Sequence, residues 1–162
     1  MIHRFALSCK VLPAELFNVL SLVIKMVNHV KGSVLNSRLF KIICEDFSAD
    51  HNVLLFHSNV LCLSRGCATK RVYELRKELL VFFQQSNKCE NFVISLRDDS
   101  FVLFLAYLVD IFDAQNVLNQ SLQGKHQTVC DFIAKVKAFL AKLRLWRGNI
   151  QSGTFSMFST VT

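Results

Sequence analysis

The run Ser100-Phe101-Val102-Leu103-Phe104-Leu105-Ala106-Tyr107-Leu108-Val109-Asp110-Ile111-Phe112 decides the fold. It is apolar nearly all round for three turns, which suits a central buried helix rather than an amphipathic surface one. The periodicity carries it from Ser100 to Leu122. Asp98 or Asp99 can cap its start through a carboxylate, and Gly124 can end it. Downstream, Val129, Phe132, Ile133, Val136, Phe139, Leu140, Leu143 and Trp146 recur at helical spacing. They predict a cleanly amphipathic last helix over Thr128–Trp146 with these residues on one side and Lys135, Lys137, Lys142, Arg144 and Arg147 on the other flanks.

Upstream, Pro13 suits a first helical turn, where its missing N–H has no partner to lose. Leu16, Val19, Leu20, Val23, Val27 and Val30 form one face of a helix that Gly32 can end in a left-handed conformation. A second helix, Val34–Phe47, is expected to bury Leu35, Leu39, Ile42, Ile43 and Phe47. A third, Cys67–Gln85, turns Val72, Leu75, Leu79 and Phe82 inward. Between them, residues 48–65 are irregular, and Val53-Leu54-Leu55-Phe56 reads as a short strand or a buried turn. Residues 86–99 read as a polar linker. The fold expected is therefore all-α, an irregular bundle of about five helices over residues 1–147, with a loose polar tail over 148–162.

The chain has 162 residues, room for one domain. It is 52% hydrophobic, with 15 Phe, more apolar material than a small domain usually carries. Such a surplus points to a surface normally covered by something else. Its formal charge of +7 favours an anionic partner without identifying one. The six cysteines, Cys9, Cys44, Cys62, Cys67, Cys89 and Cys130, form no Cys-x-x-Cys pair and read as reduced thiols. The apolar runs Leu16–Ile24 and Phe101–Val109 stop at Lys25 and Asp110, short of a membrane span, so no transmembrane helix is expected.

The order of several short motifs resembles a hAT-type transposase of the kind domesticated in vertebrate genomes. They are Leu35-Asn36-Ser37-Arg38-Leu39-Phe40, then Leu63-Ser64-Arg65-Gly66, Arg71-Val72-Tyr73-Glu74-Leu75-Arg76, Leu105-Ala106-Tyr107-Leu108-Val109-Asp110-Ile111-Phe112 and Asn119-Gln120-Ser121-Leu122-Gln123-Gly124. His3 is similar to the histidine of the family's Cys-x-x-His element, whose cysteine would precede Met1. The resemblance, to zinc-finger BED-type and SCAN-domain relatives, implies the helical insertion domain of an RNase H-like fold. The family's metal-binding aspartates and glutamate would lie outside this chain. The family's Arg-Trp pair before Leu-Ser-Arg-Gly is here Leu61 and Cys62, which offer no ring to stack on a flipped base.

Two-metal phosphoryl chemistry needs several convergent carboxylates, and Asp98-Asp99 reads better as a helix cap. His57 beside Ser58 lacks an orienting third group for nucleophilic chemistry. The expectation is thus a non-enzymatic, transposase-derived fragment acting as a protein-interaction module. It takes no cofactor, metal or small-molecule substrate and contacts no membrane. A protein partner or self-association is expected, and the resemblance implies a nuclear location, with the cytoplasm the alternative. Arg65, Lys70, Arg71, Lys135 and Lys142 are the candidate phosphate contacts if the chain instead binds nucleic acid. A truncated product without selected function is the third reading.

Overall fold

A computed structural model describes residues 12–54, 62–85, 89–123 and 128–161, with residues 62–65 described by backbone alone. Seven α-helices and no strand occur among the described residues. They are α1 (Ala14–Lys31), α2 (Val34–Asp46), α3 (Cys62–Glu74), α4 (Arg76–Gln84), α5 (Glu90–Arg97), α6 (Asp99–Ser121) and α7 (Val129–Gln151). They fall into two compact units, Met1–Val109 and Asp110–Thr162.

In the first unit, α1 packs on α2 and α3, α2 on α4, and α4 on α5. α1 buries Val19, Leu20, Val23, Met26, Val27 and Val30, the face its periodicity predicts with Met26 added and Leu16 half-buried. Gly32 departs from expectation. It is right-handed, at φ −68°, and its N–H reaches the Asn28 carbonyl at 2.7 Å. A Cβ there would lie 2.7 Å from the same oxygen, so the close approach, not a left-handed turn, calls for glycine.

α2 is rotated relative to the sequence expectation. Phe40, Ile43 and Cys44 are buried, while Leu35, Leu39, Ile42 and Phe47 are exposed. Ser33 caps this helix by accepting from the Asn36 N–H. One turn on, the Asn36 side chain donates to the His29 carbonyl and the Ser37 hydroxyl to the Val30 carbonyl, each at 3.0 Å. Those carbonyls lie at the end of α1, where intrahelical partners run out. The two bonds turn the Asn36–Phe40–Ile43–Cys44 side inward, and Phe40 meets Phe82 edge-on at 5.7 Å. Phe82 and Phe83 (5.3 Å) and Phe83 and Phe92 (4.9 Å) continue the aromatic core. Such ring pairs add about 0.5–1.5 kcal/mol each beyond the area they bury.

The helix expected over Cys67–Gln85 is two helices, broken at Leu75, which has φ −94° and ψ 22°. Arg76 explains how the break is tolerated. Its guanidinium donates to the Tyr73 carbonyl at 2.9 Å and lies 4.5 Å from the Tyr73 ring centre. An unbroken helix would give that carbonyl to the N–H four residues on. Val72, Leu75, Leu79 and Phe82 still face inward, as expected.

The predicted linker 86–99 contains α5, whose Leu96 is buried. Its Phe92, Val93 and Leu96 are spaced as one helical face, a period too short to stand out beside the polar residues around it. Val53 and Leu54 are irregular backbone rather than strand, with Val53 exposed and Leu54 only 1% exposed; residues 55–61 lie outside the described residues. Asp98 caps α6 by accepting from the Ser100 N–H at 3.1 Å.

α6 buries Phe101, Leu105, Ala106, Leu108, Val109 and Phe112 but leaves Leu103 and Phe104 exposed. It is thus buried on one side rather than all round. At 23 residues, with a best-window mean hydropathy of 1.6, it is long and apolar enough to cross a membrane by length and composition alone. Its buried stripe is also that of a protein core helix.

The second unit holds the end of α6, α7 and the tail. Thr128 and Asp131 form a reciprocal capping box at the start of α7: the Asp131 N–H donates to Thr128 Oγ1 and the Thr128 N–H to Asp131 Oδ2. The helix runs to Gln151, and the chain then folds back. Gly153, at φ +76°, takes the left-handed position after the helix end, and its N–H returns to the Ile150 carbonyl. Residues 148–162, expected as a loose tail, place Phe158 at 2% exposure, 5.3 Å from the Trp146 ring. Asp110 accepts hydrogen bonds from the Ser159 hydroxyl and from both the N–H and hydroxyl of Thr160.

Candidate functional site

The five basic residues singled out as phosphate contacts are divided between the two units. Lys70 and Arg71 lie on α3 in the first unit, as does Arg65, whose side chain lies outside the described residues. Lys70 is exposed. Arg71 is committed internally. It donates to the Val53 carbonyl at 3.3 Å, and its Nε lies 3.3 Å from Glu74 Oε2, an ion pair rather than a well-directed hydrogen bond. The first of these bonds closes the irregular segment onto α3.

Lys135 and Lys142 lie on α7 in the second unit. Lys135 donates to the Ser121 carbonyl at 2.6 Å, where α6 ends and carbonyls need partners. Lys142 is exposed and sits 4.8 Å above the Trp146 ring. Of the family-motif residues, Asn36 and Ser37 are the stitches between α1 and α2, Arg38 is exposed, and Gly66 is buried in α3. His3 and the side chains of Leu63 and Ser64 lie outside the described residues, as do His57, Ser58 and the Leu61–Cys62 side chains.

Two grooves open on the first unit. One, about 350 Å³, has Val30, Val34, Phe40 and Leu54 in its walls and Arg38 and Lys41 at its edge. The other, about 340 Å³, is polar and lies between Ser48–His51 and Glu74–Glu78. In it His51 approaches Glu74 at 3.6 Å. Among the described residues, no group of three or more His, Cys, Asp or Glu side chains is placed to hold a metal ion.

Sequence reasoning missed a contact between a buried thiol and a half-buried imidazole. Cys89 Sγ lies 3.4 Å from His29 Nε2, and the His29 ring meets the edges of Phe82, Phe83 and Phe92 at 5.9–6.4 Å. Cys89 is 2% exposed, and this wall of phenyl rings makes the pair a clasp between α1 and the start of α5. No sequence spacing links residues 29 and 89. Cys44 is a second buried thiol. Burial first, then the nearby Glu78 and Glu45 charges, push its pKa up to about 11.

Exposed apolar side chains form rows on two helices. On α2, Leu35, Leu39 and Ile42 are exposed at i, i+4, i+7. On α7, Val129, Phe132, Ile133 and Leu140 are exposed, and Val136, Phe139 and Leu143 are half-buried. Trp146 is its one buried residue. The α2 stripe was expected to be a core face; its period was read correctly, yet it is not buried.

Residues 1–151 match the FAM200/GTF2IRD2 helical domain. The chain belongs to that FAM200/GTF2IRD2-like family. The family derives from domesticated transposases, and its helical domain agrees with the all-α architecture. No solved structure matches the chain.

Proposed function

We propose that this FAM200/GTF2IRD2-like domain is a non-catalytic module of a hAT-type transposase descendant, related to the BED-type branch, that acts through protein contacts in the nucleus. The observation carrying this reading is the pair of apolar stripes on α2 and α7. Side chains such as Ile133, 46% exposed, and Leu140, 47%, gain nothing where they stand. Contiguous exposed apolar rows of this kind mark interaction surfaces. The alternative, nucleic-acid binding, has the +7 charge in its favour, but Arg71 and Lys135 already serve internal carbonyls.

The test is size-exclusion chromatography with light scattering, together with an apolar-surface dye. The wild-type chain should bind dye or self-associate. L35S/L39S/I42S and I133S/L140S should each reduce that response while circular dichroism stays unchanged. A dye-negative monomer would sink the reading. DNA affinity falling steeply with salt would favour the alternative.

A further inference from the structure

The α7 stripe has a finer order than simple amphipathicity. Val129, Ile133, Val136, Leu140 and Leu143 follow one another at spacings of four, three, four and three. That is the two-per-heptad seam of a helix that meets another helix. From Val129 to Leu143 it runs about 21 Å at 1.5 Å per residue. The two sides of the seam differ. On one side, immediately after Val136 and Leu143, stand Lys137 and Arg144, both exposed. On the other stand Phe132 and Phe139. The helix carries five basic residues and a single acid, Asp131, which is held in the capping box.

We infer that this face docks a helix of a partner protein with an apolar seam flanked by Glu or Asp opposite Lys137 and Arg144. The inference rests on the interaction reading above and gives its partner a chemistry. Residues flanking a seam choose the partner by charge. A second copy of this chain is a poor fit. Antiparallel, its own Lys137 and Arg144 would face these; parallel, they would face Phe132 and Phe139. A bilayer is also a poor fit, because cations line only one side of the seam, and the two lysines on the far side, Lys135 and Lys142, are held at Ser121 and Trp146.

The experiment titrates the full chain with a designed helical peptide bearing a Leu/Ile seam flanked by Glu. A twin carries Lys in place of Glu, and mixed phosphatidylcholine–phosphatidylserine vesicles form a third arm. The Glu peptide should bind about tenfold or more tighter than its twin, a difference of about 1.4 kcal/mol or more. K137E/R144E should reverse that preference, and I133D/L140D should abolish binding, with helicity and Trp146 emission unchanged in both. Equal binding of the two peptides at the stripe would overturn the acidic partner and leave the interaction reading standing. Vesicle binding without peptide binding would assign the face to a membrane. A dimer dissolved by I133D/L140D would assign it to a second copy. Binding of neither peptide would end the docking proposal altogether.

Discussion

Thr160 is hydrogen-bonded three times to Asp110, fifty positions earlier: its N–H lies 3.2 and 3.1 Å from the two carboxylate oxygens, and its hydroxyl 2.7 Å from Oδ1. This charge-assisted contact holds the tail so that Phe158 lies on Trp146. Hydrogen bonds to charged groups contribute about 1.5–3 kcal/mol. Asp110→Ala should therefore loosen residues 155–161 and destabilise the second unit by roughly that amount. Trp146 is the only tryptophan, so its emission should shift to the red in the variant. Unchanged emission and unchanged amide exchange in the tail would show that the contact is dispensable.

Phe40 and Leu39 are neighbours with opposite fates. Phe40 is 1% exposed and meets Phe82, whereas Leu39 points outward. Phe40→Ala should cost about 3–5 kcal/mol in urea unfolding. Leu39→Ser should stay within about 0.5 kcal/mol, as surface changes do. Reversal of that order would mean the rotation of α2 is wrong.

The thiols should separate by reactivity. Cys67 and Cys130 are exposed, while Cys44 and Cys89 are buried. At pH 8, alkylation read by mass spectrometry should label the first two quickly and Cys44 last, because a thiol with a pKa near 11 is almost wholly protonated there. Glu78→Gln removes one of the charges that hold that pKa up and should speed Cys44 labelling. No change on removing Glu78 would leave burial and the Glu45 charge as the causes.

The Asp131 carboxyl is held below its usual 3.8, first by the Thr128 hydroxyl and then by the Thr128 N–H. A depressed carboxylate pKa stabilises the folded state above the unfolded value, and that contribution disappears as pH falls through the folded one. The start of α7 should therefore keep its helicity from neutral pH down to about pH 4 and fray below it. Asp131→Asn should remove this acid dependence. Circular dichroism and amide exchange of residues 128–134 across pH 2–6 would show an unaltered profile if the box contributes nothing.

Local signals carried the sequence reading furthest. α1 was legible because its apolar period, Pro13 and Gly32 all agree on its bounds, and α6 because its apolar run starts just after the capping Asp98. The Leu75 break was not, because the apolar period passes straight through it and the Arg76 side chain that bonds the Tyr73 carbonyl leaves no mark on that period. α5 was hidden by the polar residues that surround its short face. The direction in which α2 faces depends on Asn36 and Ser37 reaching carbonyls seven residues back, a tertiary relation that no period encodes. The surroundings of two of the candidate cations were hidden for a similar reason. Arg71 and Lys135 have partners, the Val53 and Ser121 carbonyls, that are distant in sequence and invisible to a charge pattern.

The Asn36 and Ser37 bonds thus index α2 as a key fixes a gear on its shaft. A shift of one residue in that register would turn α2 by about 100°, drawing part of the Leu35–Leu39–Ile42 row toward the protein and carrying Phe40 out of the aromatic core. Two polar side chains therefore decide which hydrophobic row of α2 stays outside the core.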